Sequence, residues 1–345
     1  MTKGHGGPPV HLTALVESRD HVCCRYRLAA FRPFFAQAGH TLELRPLPPN
    51  WWSRLQAFAA PRQTEVVILQ RKLLPLWQLG WLRRAARLLI FDFDDAVFLR
   101  DSYSAKGLHS ATRLRRFGAT VRAADAVIAG NVYLQDRAYE HRAPSVSVVP
   151  TCVDPASYTP AVHKRTDFDA HLVWIGSAST LHGLEAFRST LEMVGQRWPG
   201  LRLKIICDRF LRLRRLAVLP CRWTHESEAH ELASADIGIS WLPDDSWSAG
   251  KCGLKVLQYM AAGLPVVANP VGVQADLVRH GENGFLAGTP HQWVDAVGRL
   301  AHDPALRQRM GKAGQQRVAG EFSVASGAAR WLGLLQDLRQ QKGAA

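Results

Sequence analysis

The chain has 345 residues, 47% of them hydrophobic, and a formal net charge of +14 at pH 7. Its length and apolar content suffice for two domains with a core each, which argues against large-scale disorder. The basic charge indicates acidic partners, whether a nucleoside diphosphate, an anionic membrane surface or a nucleic acid, and charge alone does not choose among them.

The first half of the chain alternates short β-rich runs with helical ones, which is typical of a parallel sheet covered by helices. Strands are predicted at residues 11–16, 41–45, 65–69, 88–93, 126–129 and 145–149. Helices are predicted at residues 26–38, 73–86, 108–123 and 132–141. The following residues carry prolines without periodicity, so we expect a first α/β domain over residues 1–160.

The same alternation restarts after this boundary and predicts a second domain over residues 161–325. Its expected strands lie at residues 171–175, 201–207, 236–242 and 265–268. Its expected helices lie at residues 181–197, 226–235 and 291–315, with another that Gly263 ends. An amphipathic C-terminal helix within residues 326–345 is expected to pack back on the first domain.

Cysteine spacing and hydropathy indicate the cellular compartment of the protein and its relation to membranes. The six cysteines lack the CxxC spacing of zinc and redox sites, which favours reduced thiols in a cytoplasmic protein. The most apolar segment, residues 73–91, is broken by Arg83 and Arg84, so we expect no span across a bilayer. Trp77 and Trp81 beside these arginines fit a protein resting on anionic lipid, or a core helix with a solvated basic face.

Residues 248–270 predict a loop, a helix, a turn and a strand. Lys251 and Lys255 are four residues apart, which places them on one helical face near the helix N-terminus, where the macrodipole disfavours cations. A bound phosphate explains such a pair, while the alternative is that both side chains extend into solvent. The adjacent Gly250 and Gly253 favour anion binding.

Ligands of parallel sheets bind beyond the carboxyl ends of the strands, so the residues following each strand are candidates. Gly176 and Ser177 precede a helix and fit a phosphate cradle or an ordinary helix cap. Arg209, after another strand, can contact phosphate or face lipid or solvent.

Carboxylates follow two other predicted strands. Asp94 and Asp95 come with Asp92 at one strand end, where burial and mutual repulsion can raise one pKa. They can orient sugar hydroxyls, bind a metal, or serve as caps and ion-pair partners. Asp244 and Asp245 precede Lys251 and can hold a sugar, or form a surface charge network with the lysines.

The segment KCGLKVLQYMAAGLPVVANPVGV, residues 251–273, resembles the C-terminal signature of family-4 glycosyltransferases. Similar landmarks occur in the expected order: FDFDDA (91–96), AGNVYL (129–134), VPTCVD (149–154), WIGS (174–177) and NGFL (283–286). The resemblance implies the α/β GT-B fold, two Rossmann-like domains facing a central cleft. It also implies sugar transfer with retention of configuration, with no metal and no cofactor besides the nucleoside diphosphate sugar.

The chain departs from the family at two positions that usually carry glutamates. Gly250 stands where a glutamate normally reaches the donor sugar, and Asp244 or Asp245 is a candidate substitute. Gln258 stands where a glutamate usually engages ribose hydroxyls, which an amide can still bind. Lys255 matches a basic position in one branch of the family.

The resemblance therefore assigns roles to specific residues, with positive charge on the leaving diphosphate as the main catalytic need. The predicted catalytic residues are Asp94, Asp95 and Lys255. The predicted donor-binding residues are Gly176, Ser177, Arg209, Asp244, Asp245, Lys251, Gly253, Leu254 and Gln258. No metal ligand is predicted.

The expected partners are a nucleotide-sugar donor and a glycan or lipid-linked glycan acceptor, in a cytoplasmic protein that can sit on the inner face of the membrane. This combination fits polysaccharide biosynthesis. Two alternatives share the architecture: a nucleotide-sugar epimerase and a non-catalytic binder of sugar nucleotides. A nucleic-acid partner is not expected, because the basic residues are dispersed and no known binding module is present.

Overall fold

The computed structural model describes residues 9–59, 65–166 and 169–343. They form two compact units. The first takes in the described residues up to Cys152, the segment Ala249–Cys252 and the C-terminal helix from Val324. The second takes in the described residues of Val153–Ser248 and Gly253–Ser323. The division falls between Cys152 and Val153 rather than after residue 160.

Each unit is built on a six-stranded parallel sheet whose inner strands are largely buried. The first contains β1 (His11–Val16), β2 (Thr41–Pro46), β3 (Val66–Gln70), β4 (Leu88–Phe93), β5 (Ala126–Ala129) and β6 (Val146–Val148), in the order β2-β1-β3-β4-β5-β6. The second contains β7 (His171–Ile175), β8 (Arg202–Ile206), β9 (Ala217–Cys221), β10 (Ile237–Ser240), β11 (Val266–Ala268) and β12 (Gly284–Leu286), in the order β12-β11-β10-β7-β8-β9. The predicted α/β fold with two Rossmann-like units is confirmed.

Helices connect and cover these strands. In chain order they are α1 (Val22–Arg27), α2 (Arg32–Gln37), α3 (Trp51–Ala59), α4 (Leu76–Ala85), α5 (Ala111–Ala123), α6 (Val132–Glu140), α7 (Ala178–Ala186), α8 (Arg188–Arg197), α9 (Glu228–Ala233), α10 (Ser246–Ala249), α11 (Leu254–Ala261), α12 (Gln274–Leu277), α13 (Pro290–His302), α14 (Pro304–Glu321) and α15 (Val324–Gly343). None of the described helices is both long enough and apolar enough to cross a membrane.

Proline divides two helices that the sequence predicts as continuous. Pro33 lies in the first turn of α2, after a short 3-10 turn at Ala29–Phe31 has separated α2 from α1. Pro304 begins α14, and the side chain of Asp303 caps it by accepting a hydrogen bond from Leu306 N at 2.8 Å. A proline lacks the amide hydrogen that a helix interior needs, so it is accommodated where a helix begins.

Five elements were absent from the sequence prediction: α3, α10, α12, β9 and β12. The strand β9 is half-exposed and contains Pro220, so it lacks the apolar run that marks a buried strand. β12 has only three residues, and it is a strand because it pairs in parallel with β11. Both segments are strands because they pair with a neighbouring strand in the folded sheet, and not because of their local sequence.

The C-terminal helix α15 packs into the core of the first unit. Trp331 is fully buried and meets Phe35 edge to face, with ring centroids 6.1 Å apart. A Cβ atom at Gly327 would lie 2.6 Å from the sulfur of Cys152, so glycine permits this close approach. Val324, Leu335 and other apolar side chains of α15 share the same core.

Tyr259 fixes α11 against the middle of the second sheet. Its buried hydroxyl accepts a hydrogen bond from Ile175 N at 3.0 Å and donates one to Ile239 O at 3.2 Å. Ile175 is the last residue of β7, and Ile239 is the last but one of β10. A Cβ atom at Gly238 would lie 2.5 Å from the Tyr259 ring, so the helix packs directly on the strand backbone.

Replacing Tyr259 with phenylalanine is therefore expected to lower the free energy of unfolding of the second unit by about 1–3 kcal/mol. The substitution leaves the amide of Ile175 and the carbonyl of Ile239 buried without this partner. Urea denaturation followed by circular dichroism measures the loss. Tyr139→Phe, at a half-exposed tyrosine of the first unit, serves as the control. An equal loss in both variants would contradict the assignment.

Candidate functional site

The second sheet reverses its strand order between β7 and β10. The chain runs outward from β7 through β8 to β9 on one side, and from β10 through β11 to β12 on the other. Ligands of open parallel sheets bind at such a switch point, beyond the carboxyl ends of the strands. Gly176 and Ser177 follow β7, and Asp244 and Asp245 follow β10. These four predicted residues therefore lie at the same edge of the second sheet.

The turn after β7 is tightly packed. A Cβ atom at Gly176 would lie 2.5 Å from both the Thr180 hydroxyl and the Trp174 ring. Gly176 N donates a hydrogen bond to Ile206 O at 3.0 Å, which ties the turn to the end of β8. Only glycine fits at this position without moving its neighbours.

Lys255 lies beside this turn. It is the second residue of α11, and its Nζ lies 4.0 Å from the centroid of the Trp174 ring. The same atom lies 3.5 Å from the hydroxyl of Thr180, which is in the first turn of α7. The indole face stabilises an ammonium group in a position that the helix macrodipole disfavours. Lys255 and the turn after β7 are thus brought together, as the phosphate hypothesis requires.

The N-terminus of α7 is partly occupied by the protein's own side chains. Ser177 N donates to the Thr180 hydroxyl at 3.0 Å, and Ala178 N donates to Asp208 Oδ1 at 3.1 Å. The hydrogen bond from Cys207, with those from backbone amides, lowers the pKa of Asp208, so a carboxylate stands at this helix end. These contacts favour the helix-cap interpretation for Ser177, and they leave Lys255 as the main cationic group of the turn.

Gln258 is buried and its amide faces a carboxylate. Its Nε2 donates to Glu228 Oε1 at 2.8 Å, and Trp223 Nε1 donates to the other oxygen of Glu228 at 2.7 Å. The sequence analysis missed Glu228, because a glutamate at the start of a short helix resembles an ordinary first-turn residue. A carboxylate is therefore present next to position 258, contributed by α9.

The loop after β10 is held by a polar cluster that the sequence did not reveal. Asn269 exchanges two hydrogen bonds with the backbone of Leu242, at 2.9 and 2.7 Å. Gln274 donates to Asn269, at 3.0 Å to its side chain. Asp245 accepts a hydrogen bond from Ser248 N at 2.8 Å and so caps α10, while Asp244 is exposed.

The remaining predicted donor-binding residues of the second unit are Arg209, Gly253 and Leu254. Arg209 is exposed after β8. Gly253 precedes α11 with a φ of 69°, a backbone conformation that favours glycine. A Cβ atom there would also lie 2.3 Å from the Leu277 side chain, so packing requires glycine as well. Leu254 begins α11 and is half-buried.

Lys251 differs from the prediction. Because α11 begins at Leu254, Lys251 lies outside the helix, and the expectation that it shares a helical face with Lys255 is wrong. It belongs to the first unit, where its Nζ lies 2.9 Å from Asp95 Oδ1. Asn131 caps α6 by accepting from Leu134 N, and its amide also donates to Lys251 O at 3.0 Å. The segment Ala249–Cys252 is thereby part of the first unit.

The carboxylates after β4 form an ion-pair cluster with Arg71, which the sequence analysis missed. Arg71 lies 2.6 Å from Asp95 and 3.2 Å from Asp94. Burial alone would raise the pKa of Asp94, but Arg71, Arg27 and Lys251 outweigh it and lower that pKa. A carboxylate with a lowered pKa is a weak base and a good acceptor of hydrogen bonds from hydroxyls. Among the described residues, no group of three His, Cys, Asp or Glu is arranged to hold a metal ion.

Gly250 lies against the backbone after β4. A Cβ atom at this position would lie 2.7 Å from both the nitrogen and the Cβ of Ala96. No side chain is accommodated there without a shift of the backbone. This packing gives a physical reason why the chain lacks a carboxylate at position 250.

Gly250→Ala is expected to lower the free energy of unfolding of the first unit by about 1–3 kcal/mol, because the added methyl group overpacks this contact. Gly250→Glu, which restores the carboxylate usual in the family, is expected to cost at least as much and to bring no gain in turnover. Urea denaturation measures both losses. Gly333→Ala is the matched control, since a Cβ atom there meets nothing within 4 Å. Equal stability of the Gly250 and Gly333 variants would contradict the packing argument.

Comparison with known proteins shows which family the region around this site resembles. The family described as Glycosyl transferases group 1 matches residues 156–303. A D-inositol 3-phosphate glycosyltransferase of Pseudarthrobacter chlorophenolicus is 29% identical over 198 residues, covering 50% of this chain and 46% of that protein. The match thus spans about half the length of each protein.

Solved structures extend the similarity to nearly the whole chain. Sucrose-phosphate synthase from Thermosynechococcus elongatus has a TM-score of 0.73 at 17% identity, covering 98% of this chain and 100% of that one. The HepE protein of Anabaena, solved with UDP and glucose, has a TM-score of 0.67 at 17% identity, covering 96% and 100%. The chain has the GT-B fold, and its residues 156–303 match the glycosyltransferase family named above. The resemblance stated from sequence is confirmed.

The described contacts of this GT-B chain separate most of the predicted site residues into two groups. Lys255, Gly176, Ser177 and Gln258 lie at the switch point of the second unit, with Trp174 and Glu228 as additional members. Asp94, Asp95 and Lys251 form the ion-pair cluster of the first unit, with Arg71 as its additional member. The missed arginine had one local signal: its position directly after a buried strand.

Proposed function

We propose that this protein transfers a sugar from a nucleoside diphosphate sugar to an acceptor. The second unit binds the donor at the carboxyl ends of β7 and β10. The position of Lys255 carries the proposal: its ammonium group is held over Trp174 and beside Thr180, at the glycine turn after β7. The family match over residues 156–303, which include this region, supports it. The UDP and glucose bound to the related Anabaena protein support the choice of donor class.

Lys255 would neutralise charge on the departing diphosphate. When the bond between the sugar and the diphosphate breaks, negative charge develops on the leaving oxygen while the sugar becomes oxocarbenium-like. A cation already fixed near that oxygen stabilises the transition state without reorganising. The indole of Trp174 fixes the lysine in this way, because it restricts the side chain before the donor arrives.

Asp94 and Asp95 would orient hydroxyl groups in this mechanism. The lowered pKa of Asp94 makes a general-base role at neutral pH inefficient. Both carboxylates are instead fixed as hydrogen-bond acceptors by Arg71, with Lys251 also holding Asp95. Gln258 would contact the donor's ribose, with Glu228 fixing the orientation of its amide.

The finer features of the reaction follow from the family resemblance and are part of the proposal. Transfer proceeds with retention of configuration and without a metal. The acceptor is a glycan or lipid-linked glycan of polysaccharide biosynthesis, and the protein acts in the cytoplasm at the inner face of the membrane. The net charge of +14 suits an anionic acceptor or surface.

A ligand panel followed by a transfer assay tests the proposal. Uridine, guanosine and adenosine diphosphates and their sugar conjugates are added at increasing concentration, and the Tm is measured. A ligand that binds only the folded protein stabilises it by about 2.7 kcal/mol at 100 times its Kd. The stabilising donor is then incubated with glycan and lipid-linked acceptors, and the anomeric configuration of the product is determined by NMR.

The proposal predicts stabilisation by one nucleoside diphosphate and consumption of the donor that depends on an acceptor. Stabilisation without consumption for any acceptor would instead establish a non-catalytic binder. Conversion of the donor without an acceptor would establish an epimerase. Absence of both stabilisation and conversion would refute a sugar-nucleotide function altogether.

A further inference from the structure

Helices α3 and α4 of the first unit expose four tryptophans to solvent. The exposed fractions are 45% for Trp51, 65% for Trp52, 48% for Trp77 and 54% for Trp81. Large indoles are seldom left in water by a soluble domain, and contiguous exposed apolar patches mark interaction surfaces. We call these four side chains the tryptophan ridge.

The tryptophan ridge is a connected surface. The rings of Trp51 and Trp52 stack with centroids 3.9 Å apart, and Trp51 meets Trp77 edge to face at 5.7 Å. Trp81 lies one helical turn after Trp77 on the same face of α4. The exposed Leu76 adjoins it in sequence. Two helices therefore contribute to one apolar surface.

Core packing does not account for these tryptophans. The helices bury their opposite sides, with Phe58 of α3 and Leu79 and Leu82 of α4 inaccessible to solvent. Each helix thus already has the apolar face that attaches it to the unit. The ridge is a second apolar face, which an ordinary amphipathic surface helix does not have.

The helices that carry and flank the ridge are basic. α4 packs beside both α3 and α5, and together the three helices contain seven arginines and no aspartate or glutamate. Arg84 is exposed three residues after Trp81, on the same side of α4. Arg83 is committed elsewhere, because it pairs with Asp125 at 2.7 Å. Arg84 is therefore the arginine best placed to meet an anionic surface beside the ridge.

Indoles combined with arginines match the interface of an anionic bilayer. Tryptophan prefers the headgroup level of a membrane, where its ring is apolar and its N–H can still reach a polar group. Arginines beside it are attracted to the negative surface potential. A flat protein partner would also pack against the apolar rings. Such a partner has no general reason to carry the negative charge that complements helices with arginines and no acidic residues.

We propose that the tryptophan ridge and Arg84 bind the protein peripherally to an anionic lipid bilayer. The indoles insert at headgroup depth and the arginine contacts lipid phosphate. This binding rests on the surface of the first unit and does not depend on sugar transfer, so it is testable whether or not the enzyme activity is established.

Co-sedimentation of the full chain with vesicles tests the proposal. Vesicles of phosphatidylcholine alone are compared with vesicles that also contain phosphatidylglycerol, at low and at high salt. We expect binding to the anionic vesicles only. Trp52→Ala/Trp81→Ala should weaken this binding roughly tenfold, because two inserted rings are lost. Arg84→Gln should weaken it about fivefold at low salt and less at high salt.

Two matched variants serve as controls. Phe210→Ala removes an exposed aromatic side chain of the second unit, and Arg330→Gln removes an exposed arginine of α15. Both should bind as the parent does. The thermal unfolding of every variant is recorded, so that loss of folding is distinguished from loss of binding.

Four outcomes would overturn the proposal. They are absence of binding to anionic vesicles, equal binding to neutral vesicles, equal weakening by the control variants, and a dimer in gel filtration that the double tryptophan variant converts to a monomer. The last outcome would assign the ridge to self-association. Weaker vesicle binding in the folded ridge variants, with unchanged binding in both controls, would establish the bilayer as its partner.

Discussion

Arg27→Met is expected to lower the free energy of unfolding of the first unit by about 3–5 kcal/mol. Arg27 and Asp92 have exposures of 1% and 0%, and their closest atoms are 2.5 Å apart. Arg27 also donates to Val149 O at 2.9 Å. Methionine fills most of the space but leaves a buried carboxylate without its cation, and such a charge is poorly tolerated in the interior.

The dependence on pH follows from the environment of Asp92. Burial raises the pKa of Asp92, and Arg27 is the main group that opposes this rise. In Arg27→Met only the hydrogen bond from Gln70 still opposes it, so the folded variant holds Asp92 protonated to a higher pH than the unfolded chain does. Stability from a raised pKa is present at low pH and lost as the pH rises through that pKa. The cost of the substitution should therefore be smaller at pH 5 than at pH 8.

Urea denaturation at the two pH values measures this prediction. Arg32→Met, at an exposed arginine of α2, is the matched control and should change stability by less than about 0.5 kcal/mol. Arg27→Met/Asp92→Leu should recover much of the loss, because replacing both partners removes the isolated charge. A single variant as stable as the control would show that the pair is not a structural requirement.

Lys255→Ala is expected to reduce kcat about 10²- to 10³-fold, the usual effect of removing one preorganised group that stabilises transition-state charge. The lysine is held at the glycine turn after β7 by Trp174 and Thr180. If it acts mainly on the departing diphosphate, kcat falls more than donor affinity does. Lys255→Arg should retain part of the activity, since a guanidinium group can also stack on the indole.

Initial rates over a range of donor concentrations separate the two effects, and the Tm with the nucleoside diphosphate reports ground-state binding. Lys312→Ala, at an exposed lysine of α14 in the same unit, is the control and should match the parent. If Lys255→Ala turned over donor as fast as the Lys312 variant, the role assigned to this lysine would be wrong.

Some features of this site were readable from local sequence. The strands β1, β4, β5 and β7 were predicted within their observed bounds, because short apolar runs bounded by turn residues need no distant partner to be recognised. The glycine turn after β7 and the position of Lys255 near the start of α11 follow from the same local signals. Asn131, directly after β5, caps α6 through its side chain, a role that asparagine commonly takes at a helix N-terminus.

Other features depended on residues far apart in the chain. Arg27 pairs with Asp92 across 65 positions and Gln258 with Glu228 across 30, and neither pairing has a sequence pattern. Lys251 and Lys255 have a helical spacing, yet α11 starts between them and they belong to different units. The tryptophan ridge depends likewise on the packing of α3 beside α4.

The sequence alone determined the alternation of strands and helices, the presence of two α/β units and the candidate residues at strand ends. These features arise from apolar periodicity and from the backbone preferences of glycine and proline. Only the tertiary structure decided which charges pair, which carboxylates are buried and which indoles remain in water. Those properties depend on desolvation and on distances between side chains, and both are set by how the folded chain brings remote segments together.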